Sequence, residues 1–129
     1  MSSETRSAAQ QVLPAEQVES RLAAALPAWR LVDGSLRRTI QTSGWKSTLM
    51  VVNTIGHLAE AAWHHPELSV RYASVAISLA SHDVQGVTER DLALAAQLEA
   101  VLMWRPGQAP GAALEGTPQE PRHAYIRYD

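Results

Sequence analysis

Pro66 divides this chain into two kinds of pattern, and no all-helical or all-strand fold satisfies both. On its N-terminal side, Leu49, Val52, Gly56, Ala59 and Trp63 recur at the spacing of one helical face. They predict a helix from about Gly44 to Trp63, capped by Thr42 or Ser43. On its C-terminal side, Val75, Ile77 and Leu79 alternate at period two, the signature of a half-buried strand. The proline enforces the break, because it disfavours helical geometry in the preceding residue and has no N–H of its own.

The flanking segments extend the same alternation of periods. Val18, Leu22 and Leu26 mark a short helix over Ala15 to Leu26, with Pro14 at its favoured early position and Pro27 stopping it. Asp33-Gly34, a dipeptide preferred in tight hairpin turns, separates Trp29–Val32 from Leu36–Thr42. Ser69 to Tyr72 reads as a short strand ahead of Val75–Ser81. Thr88-Glu-Arg-Asp91 has capping-box spacing, with Asp in place of the usual Glu or Gln. It opens a helix whose Leu94, Leu98, Val101 and Leu102 face a core. The predicted fold is α+β: a four-stranded antiparallel sheet with three helices packed on one face, in the order α-β-β-α-β-β-α. Residues 1–13 are expected to be a flexible N-terminal segment, 14–103 the folded domain, and 104–129 a Pro/Gly-rich C-terminal extension. The last seven residues, His123 to Asp129, alternate again and can dock as an extra strand, cover a neighbouring subunit or stay flexible.

Composition narrows what such a domain can do. At 129 residues the chain supports one modest core. It has no phenylalanine, so four Trp and three Tyr supply the aromatic bulk. A net charge of −2 argues against the concentrated basic footprint of a nucleic-acid binder. Without cysteine, thiolate catalysis, thiolate metal sites and disulfides are excluded. No apolar run approaches the roughly 18 residues of a membrane span. Met1 to Val12 lack the basic-then-apolar order of a secretory signal. The expectation is a cytoplasmic protein with no direct nucleic-acid or membrane partner.

Three of the five histidines bracket the Pro66 break: His64 and His65 before it, His82 in Ser81-His82-Asp83 after it. Imidazole titrates close to neutrality, so a cluster of this kind is suited to proton transfer or metal binding. Two plainer readings compete. Histidine is favoured at a helix C-terminus by the helix dipole, which accounts for His64 or His65 singly but not for His82. His57, Glu60 and His64 have i, i+3, i+7 spacing and could share a metal with His82, although the pattern is not His-Glu-x-x-His.

Glu60-Ala-Ala-Trp-His64-His65-Pro66-Glu67, then Tyr72, then Ser81-His82-Asp83-Val-Gln-Gly86-Val-Thr88-Glu-Arg-Asp91 resembles the signature of the pterin-4a-carbinolamine dehydratase family. The resemblance spans roughly Pro14 to Leu102 and agrees with the order of elements above. It implies elimination of water from a 4a-hydroxytetrahydropterin to give the quinonoid dihydropterin, with a reduced pterin as substrate and no metal or other cofactor. It implies His64 and His82 as the acid–base pair, with His65 orienting substrate or stabilising charge. Glu60, Pro66, Ser81 and Asp83 become substrate-binding candidates. Trp29 joins them because the family commonly has a Trp just before its first hairpin. A homodimer or homotetramer is implied as well. The chain departs from the pattern at Trp63, Leu68 and Val70, where the family usually has a small or polar residue, an aromatic and an Asn. Those departures, with the extension, favour an alternative: a non-catalytic adaptor or assembly factor acting through protein contacts.

Overall fold

Asp33 and Gly34 take φ values of 50° and 77°, the two positive angles that a type I′ hairpin turn requires. The turn joins β1 (Arg30–Val32) to β2 (Ser35–Gln41), with Val32 opposite Ser35. This computed structural model describes residues 7–129. Before the hairpin lies α1 (Ala15–Ala25). After it come α2 (Trp45–Ala62), β3 (Glu67–Arg71), β4 (Ser74–Leu79) and α3 (Glu89–Leu102). The four strands form one antiparallel sheet in the order β1-β2-β4-β3. The fold is the predicted α-β-β-α-β-β-α arrangement.

One face of the sheet presents Leu36, Ile40, Val75, Ile77 and Leu79 to the helices, and all five are buried. Val18 and Leu22 of α1, Val51 and Ile55 of α2, and Leu94 and Leu98 of α3 close the core over them. Arg37, Thr39 and Gln41 alternate to the opposite face, which is exposed. Two core expectations shift. The inward stripe of α2 is Thr48, Val51, Ile55 and Ala59: Ala59 is where it was predicted, while the other three each stand one position before Leu49, Val52 and Gly56. Leu49 is 39 % exposed and Trp63 72 %. The phase was ambiguous because apolar residues surround much of this helix; Thr48 fits inside because its hydroxyl donates to the Tyr72 carbonyl (2.9 Å). Val101 of α3, also expected inside, is exposed.

Neither Thr42 nor Ser43 caps α2; the N-cap is Gly44. The Thr42 hydroxyl instead accepts from the Gly44 amide and pairs with the Thr48 hydroxyl at 2.7 Å. Of the N-terminal segment expected to be flexible, residues 1–6 lie outside the described residues. The remainder makes a 3-10 turn at Ala8–Gln10. Beyond it, the Leu13 amide donates to the Val87 carbonyl (2.9 Å). Among the described residues no helix is long and apolar enough to cross a membrane.

The C-terminal extension folds back onto the end of β2. The Ser43 amide donates to the Tyr125 carbonyl (3.1 Å) and the Arg127 amide to the Gln41 carbonyl (2.9 Å), setting Ile126 opposite Thr42. Gly107 (φ +93°) lets two loops of the extension meet, since a Cβ there would collide with the Glu115 carbonyl. The Arg105 guanidinium lies 4.6 Å from the centre of the Tyr128 ring. Burial raises the Tyr128 hydroxyl pKa; Tyr125 adds to the shift and Arg105 opposes it. Buried Arg38 ties the extension to the core: it grips Glu99 through Nε (3.0 Å) and Nη2 (3.2 Å), and its Nη1 donates to the Asp129 carbonyl (3.2 Å). Ile126 is 8 % exposed. Ile126→Ala is expected to cost about 2 kcal/mol in urea denaturation, the low end for a buried aliphatic truncation. A loss under ~0.5 kcal/mol would mean that the docked ending adds nothing to the core.

Candidate functional site at the β3 end of the sheet

The end of α2 sets the positions of the histidine pair. Trp63 takes a left-handed conformation (φ 51°), its amide bonding to Glu60, while the His64 amide reaches back to the Ala59 carbonyl (3.2 Å). This is the Schellman arrangement, here with a tryptophan where glycine is usual. A bulky residue in that region costs about 1–2 kcal/mol, and such strain collects at functional sites. The reversal turns His64 inward against α3 and leaves His65 outside.

His64 is buried and both ring nitrogens are occupied. Its Nε2 lies 2.6 Å from Asp91 Oδ1, and Arg90 Nη2 lies 3.1 Å from its Nδ1. A guanidinium only donates, so Nδ1 is the acceptor and the ring proton sits on Nε2, donated to Asp91. Asp91 is fully buried. Its Oδ2 accepts from the Ser81 hydroxyl (2.8 Å) and the Thr88 amide (2.9 Å). The predicted capping box is therefore present, and its carboxylate also grips an imidazole. Arg90 reaches towards Asp83 as well, at 3.9 Å.

The other two histidines face water. His65 Nε2 is 2.7 Å from Glu60 Oε1, and the Trp63 and His65 rings meet in a T-shaped pair at a centroid distance of 5.1 Å. His82 lies in the turn closed by the Ser81 amide on the Gly86 carbonyl (2.8 Å), and its Nε2 is 3.5 Å from Glu67 Oε1. Glu67, the first residue of β3, follows His65 by two residues, at most about 7 Å along the backbone. Two exposed imidazole–carboxylate pairs thus share one end of the sheet. Each carboxylate can orient its ring and balance the charge that a proton brings.

The predicted site residues separate into groups. His64 and Ser81 are buried, both bonded to Asp91, which was not among them. His65, His82, Glu60 and Asp83 surround this network at the surface, and Pro66 is half-buried between them. Glu60 meets His65, not the His64 that stands four residues on. Trp29 is not brought to the histidines: it is buried and its indole N–H donates to Glu99 (2.8 Å), two turns along α3 from Asp91. Tyr72 lies beyond the far end of β3. Sequence reasoning did not select Asp91, Arg90 or Glu67 as site residues. The Asp at the capping box's third position was the available signal for the first. Among the described residues no three His, Asp or Glu side chains converge as metal ligands.

Fold and site together define a class: small α+β domains with helices on one sheet face and an imidazole–carboxylate cluster at one sheet end. The sequence profile of the family described as pterin 4 alpha carbinolamine dehydratase matches residues 11–101. The chain belongs to that family. A relative from Acidobacterium capsulatum, provisionally named a pterin-4-alpha-carbinolamine dehydratase, is 40% identical over 90 residues, covering 70% of this chain and 97% of the relative. One from Prochlorococcus marinus (strain MIT 9303), with the same provisional name, is 43% identical over 96 residues, covering 74% and 96%. The crystal structure of a transcriptional coactivator/pterin dehydratase from Brucella melitensis superimposes with a TM-score of 0.65 at 27% identity, covering 70% of this chain and 98% of that one.

Proposed function

We propose that this protein is a hydro-lyase that removes water from a 4a-hydroxytetrahydropterin, working in the cytoplasm. The observation that carries the reading is the pair of exposed imidazole–carboxylate units, His65–Glu60 and His82–Glu67, on a chain of this family. In the reaction the C4a–O bond breaks, the departing hydroxyl takes a proton to leave as water, and N5 gives up its proton to form the quinonoid dihydropterin. One proton is delivered and one removed, so no net acid or base is consumed. Two imidazoles suit the two transfers.

The resemblance alone paired His64 with His82. In the structure both nitrogens of His64 are held by protein groups, so we assign the exchange to His65 and His82. His64, fixed by Asp91 and Arg90, becomes a positioning residue that anchors the backbone from which His65 projects. The test is an assay of 4a-carbinolamine dehydration with purified protein. The expected result is a rate well above the uncatalysed one; a rate equal to it would refute the reading.

We also propose a homodimer or homotetramer. Along α2, Trp45, Leu49 and Met50 are 39–50 % exposed, and on the neighbouring edge strand β3 Val70 is 41 % exposed. Such apolar surface gains from a second copy. A monomeric mass in light scattering at micromolar concentration would contradict it.

A further inference from the structure

The uncovered sheet face carries an arginine pair level with the histidine site. Cross-strand registers place Arg30 opposite Arg37, Arg37 opposite Ser78, and Ser78 opposite Glu67. All four lie on the face turned away from the helices, because their neighbours Leu31, Leu36, Ile77 and Leu68 share the other face. The row therefore runs across the whole sheet from Arg30 to the carboxylate that contacts His82. With strands about 4.8 Å apart, the Arg37 backbone lies about 10 Å from that of Glu67, and Arg30 about 5 Å further.

Both arginines are exposed, and among the described residues neither forms an ion pair. Like charges directly opposite each other in an antiparallel pair are destabilising. Arg38, by contrast, points to the core and is fully engaged by Glu99 and backbone carbonyls. Between Arg37 and Glu67 the only side chain in the row is Ser78, small enough to leave the surface flat. An anion lying across Arg30 and Arg37 would relieve their repulsion and could be gripped in bidentate fashion.

We infer that Arg30 and Arg37 bind an anionic group at the end of the substrate's side chain. The substrate class is then a reduced pterin whose side chain, extended along this row from a ring at His65 and His82, ends in carboxylate or phosphate. The inference rests on the reading of the histidine site given above and adds the specificity element that the histidines lack.

The test compares 4a-hydroxytetrahydropterins bearing a neutral dihydroxyalkyl chain, a chain ending in glutamate, and a chain ending in a phosphate monoester. Wild type is set against a double variant, Arg30→Gln with Arg37→Gln. Both positions are exposed, and circular dichroism verifies the fold. Wild type is expected to favour at least one anionic substrate by roughly tenfold in kcat/KM, a scale set by two exposed charge contacts. The preference should lie in KM, disappear in the double variant, and shrink in 0.5 M salt as screening shortens the reach of the charges. Whichever anion is preferred identifies the chemistry. Equal kcat/KM for all three substrates, or a preference that survives in the double variant, would overturn the inference. If wild type turns over none of them, the dehydratase reading fails. Calorimetric binding of the reduced, non-hydroxylated pterins then decides this point separately: tighter anion binding lost in the variant sustains it, and equal affinities end it.

Discussion

Asp91→Ala is expected to lower the unfolding free energy by about 3–5 kcal/mol, the range for removing one partner of a buried charged network. For a domain of this size that is a fall of roughly 10–20 °C in melting temperature. The carboxylate receives hydrogen bonds from His64 Nε2, the Ser81 hydroxyl and the Thr88 amide, with no exposed surface of its own. Without it, three donors lose their acceptor in a buried site, and the capping box of α3 keeps only its Thr88 half. Asp91→Asn keeps the volume but turns an N–H₂ towards donors, so a smaller loss of about 2 kcal/mol is expected. Thermal unfolding followed by circular dichroism measures both. A melting temperature within ~3 °C of wild type for Asp91→Ala, well short of that fall, would show that the network does not hold this end of the molecule together.

His65→Ala and His82→Ala should behave in the opposite way. Each is expected to cut kcat for carbinolamine dehydration by about 10²–10⁴, the usual worth of a positioned acid or base. Stability should stay within about 0.5 kcal/mol, because both rings are exposed, each pairs with one carboxylate, and the Trp63 ring that His65 meets is itself exposed. His64→Ala should impair folding and rate together. If His82→Ala keeps more than a tenth of wild-type kcat while the wild-type enzyme is active, the assignment of His82 to proton transfer is wrong. Combining the two measurements separates the buried network, which places the site, from the exposed pairs, which are assigned the chemistry.

Much of the fold could be read in the sequence because its signals are local. Asp33-Gly34 dictates a turn by backbone geometry alone, and the Thr88–Asp91 spacing places the start of α3 to the residue. The phase of α2 was less accessible: apolar residues on several sides make more than one stripe plausible. Choosing Thr48 over Leu49 requires knowing that the Tyr72 carbonyl waits across the interface. For the site, residue types and spacing marked His64, His65 and His82 as a group. They did not reveal which imidazole is enclosed. That depends on Trp63 entering the left-handed region, an event with no glycine to announce it. Asp91 was hidden because one carboxylate serves as both cap and anchor, and a capping box already explains its presence. Trp29 was drawn to the pocket by resemblance, whereas its indole finds a partner in Glu99 on the far part of α3.

The docking of the extension at Gln41–Ser43 has a consequence for how this molecule is organised. β2 runs away from the histidine end, where Leu36 faces Leu79, to the end where Gln41 meets Ser74 and the returning chain. The seven residues of β2 put about 20 Å between the two ends. The protein is in that sense bipolar. One pole holds the imidazole–carboxylate pairs to which proton transfer is assigned, and the other holds the docked extension. The strand pairing of Tyr125, Ile126 and Arg127 belongs to that far pole, while Asp129, held by Arg38, connects it to the core.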